Sequence, residues 1–259
     1  MENPVHCTTD GNEAIVTIDR PDSLNALSTT VHDQLYEIFS SLDDGNTTTI
    51  RLRSAGTKAF VAGADLDEID GMSVREFERF QRNSRQTIDA IEAHPAVIIA
   101  EVTGIAYGGG CELALASDIV VADSNSKFAV PEVTLGLIPG GGATQRLPRI
   151  VGPNKAIEML TTGEPISGTE AHTYGFVNHV VEDPDEVTRK AEAIAESIDS
   201  NAPRAVRAGK RLVREGMESS LPTGLSYEHE TTFNLYQTDD AEEGIRAFVE
   251  DREPSFEGQ

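Results

Sequence analysis

The stretch Ala96-Val97-Ile98-Ile99-Ala100, then Gly104, then Gly108-Gly109-Gly110-Cys111-Glu112-Leu113-Ala114-Leu115-Ala116 decides the fold. An unbroken apolar run after Pro95 predicts a strand buried on both faces, as parallel sheets require. Residues 111–116 predict a short buried helix whose N-terminus lies at the glycines, so the region reads strand, glycine turn, helix. Working outward, the same rhythm recurs. Residues 14–18 alternate like a half-buried strand, and Ser28 opens a helix carried by Val31, Leu35, Ile38 and Leu42. Residues 50–53 and 59–61 predict short strands, the second leading into the turn Ala62-Gly63-Ala64-Asp65. Residues 74–94 predict a helix stopped by Pro95, residues 119–122 and 127–130 predict strands, and Gly140-Gly141-Gly142 opens a helix toward Ile150. After a last strand at 176–181, residues 184–249 carry helical patterns alone. The alternation predicts an α/β domain, with a mixed core over residues 1–200 and a helical C-terminal part over 201–259.

Composition narrows the function. The chain has 259 residues, 38% of them hydrophobic and spread along its length, enough for a substantial core. No apolar run reaches the ~18 residues of a membrane span, and Met1-Glu2-Asn3-Pro4 opens no secretory leader. A cytoplasmic protein is expected. Cys7 and Cys111 are the only cysteines, which predicts neither a disulfide framework nor a zinc site, hence no metal. The formal charge is −23, from 44 acidic against 21 basic residues, and only five of the latter are lysines. Such a surface repels nucleic acid and anionic membranes, so neither is an expected partner. Because the acids are scattered through every segment, the excess reads as adaptation to a very salty cytoplasm, where a Debye length of about 3 Å at 1 M screens self-repulsion.

Two glutamates stand out. Glu112 closes the glycine triplet among Cys111, Leu113, Ala114 and Leu115, and Glu132 follows Pro131 among Val130, Val133 and Leu135. A carboxyl in such surroundings is costly to bury unless it is paired or used, and burial raises its pKa toward what a general acid needs. The turns at Ala62-Gly63-Ala64-Asp65 and Gly108-Gly109-Gly110 carry little side-chain bulk, so two backbone N–H groups can be aimed at one developing oxyanion. Neither glycine triplet matches G-x-G-x-x-G or G-x-x-x-x-G-K-[ST], which argues against a nucleotide-phosphate loop. The six histidines stand apart from one another and from any Ser/Asp pattern, so they read as structural. Arg204, Arg207, Lys210, Arg211 and Arg214 form one helical face; pairing with nearby acids is the favoured reading over a seat for a phosphorylated ligand.

Taken in order, the motifs resemble the crotonase, or enoyl-CoA hydratase/isomerase, superfamily, most closely an enoyl-CoA hydratase of a halophile. The matching stretches are Ile18-Asp19-Arg20-Pro21, Leu24-Asn25-Ala26-Leu27, Lys58-Ala59-Phe60-Val61-Ala62-Gly63-Ala64-Asp65-Leu66 and Gly104 through Ala114. They continue with Ser117-Asp118, Phe128-Ala129-Val130-Pro131-Glu132, Gly136-Leu137-Ile138-Pro139-Gly140-Gly141-Gly142 and Arg252-Glu253-Pro254-Ser255-Phe256.

The resemblance implies a spiral of ββα units with a helical C-terminal trimerisation region, assembled as a homotrimer or homohexamer. It implies catalytic roles for Glu112 and Glu132, and an oxyanion hole from the N–H groups of Ala64 and Gly109. It implies that Ala26, Ala62, Gly63, Asp65, Leu66 and Lys58 line the path of an acyl-CoA substrate, and that no cofactor takes part. Retention of both glutamates points to hydration of a trans-2-enoyl-CoA; a Δ3,Δ2-enoyl-CoA isomerase and a non-catalytic CoA-binding subunit are the alternatives. In the tail, Asp251-Arg252-Glu253 stands where many members carry a Lys-Arg-Lys-like run, so their phosphate contact is not carried over.

Overall fold

The computed structural model describes residues 3–42 and 47–259. Two sheets are built in alternation. An N-terminal hairpin, β1 (Val5–Asp10) and β2 (Glu13–Ile18), leads to α1 (Thr29–Ser41), whose N-cap Ser28 accepts from the Val31 N–H. The chain then runs β3 (Thr49–Ser54), β4 (Ala59–Val61), α2 (Leu66–Ile69), α3 (Val74–Ala93), β5 (Val97–Val102), β6 (Ile105–Tyr107) and α4 (Gly109–Ala116). It continues β7 (Ile119–Asp123), β8 (Lys127–Ala129), a 3-10 turn (Pro131–Leu135), α5 (Ala143–Val151), α6 (Pro153–Thr162), β9 (Ile166–Ser167), α7 (Gly168–Thr173) and β10 (His179–Val181). Four helices close it: α8 (Pro184–Asp199), α9 (Pro203–Met217), α10 (Leu221–Tyr236) and α11 (Asp239–Glu250).

The larger sheet has the order β1-β2-β3-β5-β7-β10 and is parallel apart from the β1–β2 pair; the smaller is β4-β6-β8-β9. Each successive unit thus places one strand in each sheet and follows them with helix: β3–β4–α3, β5–β6–α4, then β7–β8 and the helices after it. This is the expected spiral of ββα units. The core follows from side-chain alternation. Ile50, Leu52, Ile98, Ala100, Val120 and Ala122 face the smaller sheet's Phe60, Ala106 and Phe128, with Leu35 of α1 and Ile88 of α3 sealing the cluster. Val97, Ile99 and Val121 point the other way, onto Val187, Ala191 and Ala195 of α8.

Three strands were not expected from the sequence. In β1 all residues after Val5 are exposed, so its alternation carries no apolar signal; β6 and β9 are three and two residues long. The predicted strand at 176–181 shortens to β10, because the Phe176 and Val177 N–H groups turn back onto the Ala171 carbonyl. No helix among the described residues is long and apolar enough to cross a membrane. On α9 to α11, Met217, Leu221, Tyr236, Phe248 and Val249 are exposed.

Candidate active site

The site forms where strands of the smaller sheet end. β4 runs into the 62–65 turn, whose register is fixed by a bridge to Leu27: the Leu27 N–H donates to the Gly63 carbonyl (2.8 Å) and the Asp65 N–H to the Leu27 carbonyl (2.9 Å). That pattern leaves the intervening Ala64 N–H unused. One strand over, β6 ends at Gly108, whose φ of +52° suits glycine and turns the chain into α4. Gly109 is the first residue of α4, so its N–H lies among the orphan donors of a helix N-terminus. Among the described residues, neither the Ala64 nor the Gly109 N–H has an acceptor. The two turns are neighbours: a Cβ on Gly109 would sit 2.8 Å from the Leu27 Cδ1, and one on Gly108 would lie 3.8 Å from the Gly63 Cα.

Glu112, one turn into α4, is 4% exposed. Its Oε1 accepts the Ala143 N–H at 3.0 Å, so the carboxylate caps α5, whose own N-cap Gly142 offers no side chain. A carboxylate suits that position, since a helix N-terminus presents unsatisfied N–H groups and positive potential. The carboxylate also lies against Gly141, where a Cβ would come within 2.7 Å of Oε2. Burial pushes the Glu112 pKa up, while the N–H groups of residues 143, 141 and 142 and the Arg146 guanidinium pull it back.

Glu132 stands in the 3-10 turn after β8, fixed by Pro131 at its start and by the Leu137 N–H on the Glu132 carbonyl (3.0 Å). Its Oε1 packs over Gly108, 3.0 Å from where a Cβ would be, and its Oε2 is buried without a hydrogen-bond partner in the described structure. Burial raises the Glu132 pKa to about 7, and the Glu112 carboxylate nearby adds to the rise. Burial thus raises the pKa of both carboxyls, but they differ in their partners: N–H donors and the Arg146 guanidinium oppose the rise at Glu112, whereas among the described residues no cation opposes it at Glu132, which is raised to about 7.

Of the other residues singled out, Ala26, Ala62, Asp65 and Leu66 line one surface cavity of about 650 Å³ beside the 62–65 turn. Gly63 is buried behind it, and Lys58 is exposed on the loop before β4, outside that lining. Arg20 was missed. Among the described residues it is the only cation lining the cavity, donating to the Ala26 carbonyl at 2.6 Å and pairing with Asp65 at 2.9 Å.

On the basic face of α9, Lys210 and Arg214 pair with acids as favoured, while Arg207 donates to the Thr47 carbonyl and Arg211 to the Thr231 hydroxyl. Lys210 meets Asp118 at 2.6 Å, and Arg214 meets Asp118 at 2.6 Å and Glu92 at 3.0 Å. Among the histidines, His32 packs edge-on against Phe80, His94 against Phe39 and His229 against Phe233, and His6 lies 3.5 Å from the Asp19 carboxylate. No group of three or more His, Cys, Asp or Glu able to hold a metal exists among the described residues.

Residues 9–259 match the family described as enoyl-CoA hydratase/isomerase. The chain belongs to that family. A short-chain-enoyl-CoA hydratase of Clostridium acetobutylicum is 40% identical over 96% of both chains, and a crotonyl-CoA hydratase of Syntrophomonas wolfei is 39% identical over 94% of both. The crystal structure of an enoyl-CoA hydratase from Bacillus anthracis superposes with a TM-score of 0.96 at 37% identity, covering 99% of this chain and 100% of that one. Within this enoyl-CoA hydratase/isomerase member, two further positions escaped the sequence reading. Asn25 lies within the Leu24-Asn25-Ala26-Leu27 motif without a local mark of its role, and Arg146 lies in the helix after Gly142. An arginine on a helix carries no sequence mark that separates a site from a solvated surface.

Proposed function

We propose that the protein is an enoyl-CoA hydratase that adds water across the double bond of a trans-2-enoyl-CoA to give 3-hydroxyacyl-CoA. The observation that carries this is the buried, unpartnered Glu132 Oε2 on a carboxyl of pKa about 7, set beside an anchored Glu112 and two unengaged amides. The Ala64 and Gly109 N–H groups hold the thioester oxygen, polarising the enoyl system so that C3 becomes electrophilic. Pre-aimed donors of this kind are worth ~3–4 kcal/mol each as negative charge develops on that oxygen.

A water held between the two carboxyls forms its bond to C3 as Glu112 accepts a proton from it, and Glu132 gives its proton to C2. A proton then passes from Glu112 to Glu132, restoring both. This chemistry draws on no metal and no redox cofactor. The cavity lined by Ala26, Ala62, Asp65 and Leu66 takes the CoA, with Arg20 its cation. Residues 1–200 make the catalytic core, and 201–259 an assembly region in a homotrimer or homohexamer.

Glu112→Gln and Glu132→Gln test the assignment. Each should lower turnover of crotonyl-CoA by about two to four orders of magnitude, the usual scale for a positioned acid or base. A wild-type rate in either variant removes that glutamate from the mechanism. Incubation with a 3-enoyl-CoA and identification of the product separates hydration from Δ3,Δ2 isomerisation.

A further inference from the structure

Behind Glu112 a chain of charges runs from the site to the C-terminal helices. The Arg146 Nη1 donates to the Gly141 carbonyl at 2.6 Å, while its Nε donates to the Glu92 Oε1 at 3.1 Å and its Nη2 pairs with the Glu92 Oε2. Glu92 also takes Arg214 of α9 at 3.0 Å; Arg214 and Lys210 both hold Asp118, and Asp118 accepts the Ile98 N–H at 2.8 Å. Gly141 is therefore gripped from two sides, its Cα against the Glu112 carboxylate and its carbonyl on the guanidinium. Arg146 is also mostly buried, with its side chain 13% exposed, so its hydrogen bonds are little diluted by water.

The geometry points to Arg146 as a positioning residue for Glu112: through Gly141 it fixes the amides that hold the carboxylate, and through Glu92 and Arg214 it ties that loop to α9. The inference rests on Glu112 being the base in the hydration above. Arg146 meets no reacting atom in this account. It acts through the loop it orders and through its charge, which favours the carboxylate over the neutral acid. The groups facing Glu112 are Glu132 from the 3-10 turn and Arg146 from α5, backed by Arg85, Asp89 and Glu92 of α3 and Arg214 of α9.

The test compares Arg146→Gln, Arg146→Lys and Glu92→Gln in the full-length protein. For Arg146→Gln, kcat should fall ~10–100-fold with KM changed less than about threefold, the mark of a misplaced catalytic group. The acid limb of its kcat/KM profile should move up by about one pH unit, because a charge favouring the anion is gone. Arg146→Lys keeps the charge and should leave the acid limb in place while losing part of kcat. Infrared titration of the Glu112 carboxyl, assigned by its disappearance in Glu112→Gln, should show the protonated band persisting to higher pH in Arg146→Gln.

A wild-type kcat with an unmoved acid limb and infrared titration overturns the proposal, as does an equal loss in Lys and Gln variants with both limbs in place. Should Arg146→Gln fail to fold, Glu92→Gln decides, since it frees the guanidinium without removing it: a ~3–10-fold lower kcat supports the inference, and an unchanged one ends it. If the wild-type protein hydrated no enoyl-CoA, the proposed function would fall, while the infrared titration would still judge the influence of Arg146 on Glu112.

Discussion

Glu132 has two linked consequences for pH. As the proton donor it must be neutral, so kcat/KM for hydration should decline on the alkaline side with a midpoint near its pKa of about 7. A profile flat from pH 6 to 9 would remove Glu132 from that role. The same shift acts on stability with a definite sign. Folding raises the pKa above the ordinary carboxyl value, so the neutral form is favoured in the fold; that contribution is complete in acid and is lost as pH rises through about 7. Glu132→Gln should therefore match the wild-type melting temperature near pH 4 and exceed it at pH 8. Asn25 works by geometry instead. Buried at a φ of +57°, it accepts the Arg20 N–H (2.9 Å) and donates to the Ala55 and Ala59 carbonyls (3.0 and 2.8 Å), pinning the loop that carries Leu27 to the end of β3 and the start of β4. Asn25→Ala leaves buried groups unpaired and should cost ~2–4 kcal/mol in a denaturant titration, lowering Tm by roughly 5–10 °C.

At the level of elements, α4 shows how closely the parts are fitted. Every residue from Gly110 to Ala116 is buried, and a Cβ on Gly110 would drive into the Val61 carbonyl of β4. Gly110→Ala should push the helix off the strand at a cost of ~1–3 kcal/mol; because Gly109 moves with it, kcat/KM should fall even under conditions where the variant is folded, as calorimetry and kinetics together would report. Residue type made α4 legible in the sequence: an apolar run after three glycines, interrupted by the single carboxylate of Glu112, has few other readings. The caps were legible for a similar reason, Ser28 opening α1 as expected and Pro95 marking the stop of α3 near His94. What escaped lacks such local contrast. The short strand β6 lies between Gly104 and Gly108 and is a strand through its pairing with β4 and β8, a partnership that no local pattern encodes. Arg146 escaped likewise, its meaning being set by Gly141 and Glu92, the latter 54 positions away.

Across the whole molecule, a charge of −23 is an electrostatic load that salt relieves. Tm should rise steeply between low and molar KCl, and light scattering at molar KCl should find three or six chains, with Phe248, Val249, Met217 and Tyr236 covered in the assembly; a flat salt profile would argue against a halophilic surface, and a monomer would reject the assembly. The arrangement around the reacting atoms points elsewhere. The floor beneath the proposed thioester position is main chain, with Gly63, Gly108 and Gly141 pressed against Tyr107, Glu132 and Glu112. Exposed side chains such as Leu135 and Ile138, which follow Glu132 in the chain, tolerate change better than these glycines do. An engineer seeking a roomier or narrower acceptance of acyl groups should leave the glycine bed untouched.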